Sequence, residues 1–183
     1  MYKNLAAAFA AACCISPVFS QTPVVTPPLK IGFVYVTPIT PAGWVRQHEN
    51  GRKAVEAALG SKVATTYVED VPEGADAERV IRDLAQQGHK LIFTPSFGYM
   101  EPSLYVAQFF PGVKFASITG FITAPIVSVA IVRYYEGRYL AGITAGRMTQ
   151  TGVAGYVAGF PIPEVLQGIN AFTLGMRSAN PKA

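Results

Sequence analysis

The chain has 183 residues, enough for one ordinary domain or for one domain and the start of another. Half of the residues are apolar and only 14% are charged, which excludes a disordered chain. The formal net charge is +4 and the pI about 9.1, but Lys and Arg are interspersed with Asp and Glu, so no nucleic-acid-binding face is marked.

Residues 1–20 read as a secretory signal peptide. Lys3 forms a positive start, Leu5 to Val18 is an uncharged Ala-rich run, and Val18-Phe19-Ser20 sets small residues at −3 and −1 before Gln21. Cys13 and Cys14 lie inside this segment, so cleavage after Ser20 leaves no cysteine for a disulfide or a metal site. The alternative fate is a lipid anchor on Cys13 or Cys14; the three alanines before Cys13 lack the Leu of a lipobox and count against it. Residues 21–29 form a stiff, Pro-rich segment.

From Lys30 the pattern alternates between strands and helices. Lys30 to Val36 is apolar, as a central parallel strand should be. Trp44 to Leu59 has helical spacing, with Val45, His48, Val55, Ala58 and Leu59 on the apolar side and Arg46, Glu49, Lys53 and Glu56 on the other; Gly60 stops it. Val63 to Val68 is a second strand. Ala77, Val80, Ile81, Leu84 and Ala85 then follow the i, i+3, i+4, i+7, i+8 pattern of a helix that ends at Gly88. Leu91 to Thr94 is a third strand, and Pro102 to Phe110 a short helix opened by its proline. Phe115 to Val132 carries no charge and is long enough to span a membrane, but Gly120, Pro125 and two β-branched runs make it two buried strands joined by a turn (Val113 to Ile118 and Ile126 to Val132). Tyr134 to Thr149 is a helix, Val153 to Ala158 a strand, and Pro163 to Ala179 a helix stopped by Asn180-Pro181. This alternation predicts an α/β fold with a doubly wound parallel sheet.

In such a sheet ligands bind at the carboxyl ends of the strands, where strand order reverses. For a flavodoxin-like order that point lies between the first and third strands. The loops there lead into Trp44 and through Pro95-Ser96-Phe97-Gly98-Tyr99. Trp44, Phe97 and Tyr99 are candidate stacking faces for a flat heterocycle, and the Ser96 hydroxyl and Gly98 N–H candidate donors that orient it. Other motifs point away from chemistry. His48 and His89 have no Cys or carboxylate cluster beside them for a metal. Glu101 reads as a helix-start carboxylate, and Asp70 and Glu73 as capping residues. Gly152, Gly155 and Gly159 have neither dinucleotide-binding nor P-loop spacing, and no Ser sits in a nucleophile elbow. Gly142 and Gly146 form a small-xxx-small pair that allows tight helix packing.

The stretches YYEGRYLAGITAGRMTQTGVAGYVAGFPIPEVLQGINAFTLGMRSANP (134–181), EGADAERVIRDLAQQGHKLIFTPSFGYM (73–100) and GWVRQHENGRKAVEAALG (43–60) together resemble the basic membrane protein family of ABC-transporter substrate-binding proteins. The resemblance runs from about Lys30 to the last residue. It implies a periplasmic-binding-protein type I fold whose two lobes close on a ligand, with residues 30–150 as the first lobe and 151–183 as the first strand and helix of a truncated second lobe. It further implies a non-enzymatic protein without cofactor or metal, located in the periplasm or anchored to the plasma membrane, that passes a purine base or nucleoside-like solute to a permease. On the family pattern Trp44, Ser96, Phe97, Gly98 and Tyr99 line the first-lobe half of the pocket, with Gly120 and Phe121 beside them and Phe160 and Pro161 across the cleft. The stretch from Gly120 to Arg133 departs from relatives in carrying Pro125, Ile126, Val129, Ala130 and Ile131 where more polar residues are usual. Two other functions compete: a sensor with the same binding fold, and a small nucleotide-using enzyme, against which the missing phosphate loop counts.

Overall fold

The computed structural model describes residues 26–183; the segment read as a signal peptide, with both cysteines, and residues 21–25 of the Pro-rich segment lie outside them. The elements in chain order are β1 (Leu29–Val34), α1 (Trp44–Leu59), β2 (Val63–Val68), α2 (Ala75–Gln86), β3 (Leu91–Thr94), α3 (Met100–Ala107), β4 (Lys114–Ile118), β5 (Val127–Ala130), α4 (Tyr134–Met148) and α5 (Pro163–Ala179). Single 3₁₀ turns at Gly60–Lys62 and Phe97–Tyr99 lead into β2 and α3.

The five strands form one sheet in the order β2-β1-β3-β4-β5, with every pair parallel. The chain steps from β1 to β2 on one side and returns to place β3 on the other, so the switch point lies between β1 and β3. Period-two alternation from β1 onward feeds two cores. Ile31, Phe33 and Tyr35 pack with Val45 of α1 on one face of the sheet. Val34 joins Ala77, Ile81 and Leu84 of α2 and Val106 of α3 on the other. Burial of these aliphatic and aromatic side chains, each worth about 1.5–3 kcal/mol, drives the sandwich of helices around the sheet.

Three expectations are corrected. The buried side of α1 consists of Val45, Glu49 and Arg52, while Ala58 and Leu59 are exposed. Glu49 was expected outside; it is buried because Arg52, one turn on, neutralises it at 2.7 Å. The segment from Phe115 to Val132 does form two strands, β4 and β5, parallel as the doubly wound sheet requires, but what was expected as a turn between them is a longer return loop over 119–126, and β5 ends at Ala130. Val153 to Ala158 is not a strand. No strand lies alongside it among the described residues, and Val157 is 100% exposed; β-branched residues do not make a strand without a ladder to join.

Helices α4 and α5 pack against one another along glycines. A Cβ at Gly142 would land on the Phe172 carbonyl oxygen, one at Gly146 on that of Met176, and one at Gly175 on that of Tyr139. The small-xxx-small pair thus serves close backbone approach in a helical hairpin. Among the described residues no helix is long and apolar enough to cross a membrane.

Candidate functional site

The loops at the carboxyl ends of β1, β2, β3 and β4 meet around residues 95–98. Trp44, at the start of α1, donates its indole N–H to the Pro95 carbonyl at 2.6 Å. This bond ties the loop after β1 to the loop after β3 across the switch point. The indole ring contacts His48 edge-on at 4.6 Å between centroids and Tyr134 at 6.0 Å, yet Trp44 stays 37% exposed. Burial pushes the His48 imidazole below its ordinary value of 6.5, so it meets the indole as a neutral ring at neutral pH.

On the far side of the same loop Glu73, which follows β2, reaches over it. Its Oε1 accepts hydrogen bonds from the Ser96 hydroxyl at 2.5 Å and from the Gly98 N–H at 3.0 Å. Glu73 therefore does not cap α2; Gly74 holds the N-cap position with no side-chain cap bond. Gly98 makes this clasp possible, because a Cβ there would collide with the Glu73 carboxylate.

Phe97 projects beside Phe121, 6.0 Å between ring centroids and tilted by 31°, and Phe121 is 60% exposed. Gly120 beneath it is buried. A Cβ there would meet Ser117 Oγ at 2.5 Å and Met100 at 3.3 Å, so only glycine lets the loop settle onto β4 and α3. The Phe121 N–H points at Met100 Sδ, 3.3 Å away.

The sequence-derived candidates thus divide. Trp44, Ser96, Phe97, Gly98, Gly120 and Phe121 are gathered at one edge of the sheet. Tyr99 is fully buried, with its hydroxyl donating to the Val71 carbonyl at 2.6 Å, so it braces the loop from beneath and offers no stacking face. Burial pushes its hydroxyl far above the ordinary phenol range. Phe160 and Pro161 line a hollow with Val165, Leu166 and Ile169 of α5 and do not join the cluster around Trp44. Two residues at the edge were missed: Glu73, whose partners lie across two loops, and Tyr134, which the sequence shows only as a helix start. Burial, then the Glu164 carboxylate, raises the Tyr134 hydroxyl. Among the described residues no three His, Cys, Asp or Glu side chains group as metal ligands would. An edge with open aromatic faces and one carboxylate is chemically equipped to hold a flat, hydrogen-bonding solute.

A family model described as "ABC transporter substrate-binding protein PnrA-like" matches residues 29–183. The chain belongs to this PnrA-like family. The purine-binding protein of Brucella abortus (strain 2308) is 53% identical over 153 residues that make up 84% of this chain and 44% of that protein. The putative ABC transporter glucose-binding protein TsgA13 of Haloferax volcanii is 41% identical over 155 residues, 85% of this chain and 39% of that protein. The chain therefore spans less than half the length of these two curated relatives. Among solved structures, an ABC transporter solute-binding protein from Aeropyrum pernix K1 superposes with a TM-score of 0.68 at 23% identity, over 84% of this chain and 44% of that one. A solute-binding protein from Conexibacter woesei gives 0.64 at 24% identity, over 85% of this chain and 52% of that one. These likenesses establish the periplasmic-binding-protein type I fold for this PnrA-like chain.

Proposed function

We propose that this chain is the ligand-reading part of an exported substrate-binding component of an ABC importer, taking a purine base or nucleoside-like solute for delivery to a permease. The observation that carries the reading is Trp44: it is hydrogen-bonded at the switch point to Pro95, on the loop that also carries Phe97, and stays partly open, in a chain 53% identical over 153 residues to a purine-binding protein. An indole fixed by its N–H presents a ready-oriented π-face, and stacking a base on such a face is worth about 1–3 kcal/mol. The protein binds its solute without transforming it. A leader at residues 1–20 sends it out of the cytoplasm, where it remains free or lipid-anchored.

Because Trp44 is the sole tryptophan, its fluorescence reports the site directly. Titration with adenine, guanine and adenosine should quench it saturably, and calorimetry should show Trp44→Ala weakening binding at least about tenfold, as loss of one stacked face requires. The glucose-binding name of the Haloferax relative supports a second reading, since sugar rings also lie on aromatic faces. Saturable quenching by glucose and none by purines would replace the purine assignment; unchanged affinity in Trp44→Ala would remove the stacking role.

A further inference from the structure

The two donors that the sequence offers to a ligand, the Ser96 hydroxyl and the Gly98 N–H, are both already engaged by Glu73 Oε1. What the loop presents is therefore reversed in sign. The second carboxylate oxygen, Oε2, has no hydrogen-bond or ion-pair partner among the described residues, and Glu73 is exposed. It lies against Gly98, the residue after Phe97, with Trp44 holding the same loop through Pro95. An oxygen fixed through its carboxylate's other oxygen has little freedom left to lose, so it can accept a bond at low entropic cost. Bonds to an ionised acceptor are roughly twice as strong as neutral ones.

We infer that Glu73 is a specificity-determining residue of this edge: its Oε2 accepts a hydrogen bond from an N–H or O–H group of the solute, selecting neutral, donor-bearing ligands and repelling anionic ones. The inference rests on the reading of the carboxyl edge as the binding site, but it does not require the solute to be a purine. The amino and imino groups of adenine or guanine satisfy it, and so do sugar hydroxyls.

The test is Glu73→Gln in the full chain, with Ser96→Ala beside it. The Gln carbonyl oxygen can keep both clasp bonds while its amide turns the free position from acceptor to donor. Adenine affinity, read by calorimetry and by Trp44 quenching, should fall at least tenfold in Glu73→Gln with the melting temperature unchanged. Ser96→Ala, which removes one of the two clasp bonds but leaves Oε2 and the Gly98 bond in place, should weaken adenine binding several-fold less than Glu73→Gln does. Adenine binding in Glu73→Gln equal to wild type overturns the assignment and leaves the purine reading intact. An equal loss in Ser96→Ala also overturns it, because Glu73 would then act only by positioning the loop. If wild-type protein binds glucose and no purine, the purine reading fails, and a tenfold loss of glucose affinity in Glu73→Gln still upholds the role of Glu73. If neither class binds wild-type protein, both readings are overturned.

Discussion

The carboxylate of Glu49 is buried beneath α1, and its partners Arg52, on the same helix, and Tyr35, just after β1, explain how. Arg52 donates to it through Nε at 2.7 Å and Nη2 at 2.8 Å, and the Tyr35 hydroxyl donates at 3.2 Å. The remaining Arg52 nitrogen reaches Glu56 at 2.8 Å and Thr65 at 2.6 Å, and the guanidinium lies 5.0 Å from the Tyr67 ring centroid. The hydrogen bond from Arg52 holds the Glu49 carboxyl below its ordinary value of 4.5, against the opposing effect of burial. Burial, then the Glu49 charge, pushes the Tyr35 hydroxyl well above the phenol range, so it remains a donor. Removing one member of a buried ion pair strands the other, so Arg52→Ala should cost about 3–5 kcal/mol in urea unfolding at neutral pH. The sign of the pH dependence follows from the lowered carboxyl. Glu49 contributes fully above about pH 4.5, and its contribution is lost as pH falls through its lower folded value. Glu49→Gln should therefore show a shallower loss of stability on acidification than wild type; an unchanged acid limb would show that other carboxylates set it. The helical spacing of Glu49 is legible in the sequence, but its burial is not. Charge alone placed it outward; Arg52 on the same helix, the Tyr35 hydroxyl after β1 and the β2 residues that hold Arg52 reverse that.

At the scale of elements, strands with two buried faces and helices with a clear apolar stripe are readable because their periodicity has one solution. The continuous apolar run of β1 and the spacing from Ala77 to Ala85 in α2 both fold as read. Val153 to Ala158 fails because a strand is a property of a pair, and the sequence of one member carries no information about the other. Glu73 was unreadable for a related reason: its partners Ser96 and Gly98 are brought to it by β2 and β3 flanking β1, not by any local spacing. The α4–α5 seam was half legible, since the glycine spacing showed close packing but not its partner. The seam also supplies a contrast between neighbours on one helix. Gly142→Ala gains helix propensity of about 1 kcal/mol but drives a methyl into the Phe172 carbonyl, and overpacking of this kind costs about 1–3 kcal/mol or more. Gly137→Ala meets nothing within 4 Å and should raise stability by up to about 1 kcal/mol. Chemical denaturation of the two variants should move in opposite directions; parallel shifts would mean that the seam adjusts freely.

Over the whole molecule, the sheet and the helical hairpin hold themselves together by different means. Both core clusters are built from residues between Ile31 and Val127, and neither contains a residue of α4 or α5. The hairpin buries Gly142, Gly146, Gly168, Gly175 and Met176, so its stability comes from close backbone contact rather than from a large apolar core. Leu140 and Leu174, at 64% and 63% exposure, line an open apolar hollow with Tyr135, Tyr139 and Ala171. The aromatic contact of Trp44 with Tyr134 links the hairpin to the sheet, at the site itself. Segments with few buried apolar contacts open at a fraction of the global free energy, in cooperative units of their own. Hydrogen exchange read by mass spectrometry should therefore show α4 and α5 amides exchanging at least about tenfold faster than those of β1, β3 and β4. A solute stacked on Trp44 should slow exchange at the start of α4 through Tyr134, whereas the far end of α5 should be unaffected. Uniform protection across sheet and hairpin would show instead that the molecule opens as one unit, with Trp44 and Tyr134 carrying more of the coupling than their contact implies.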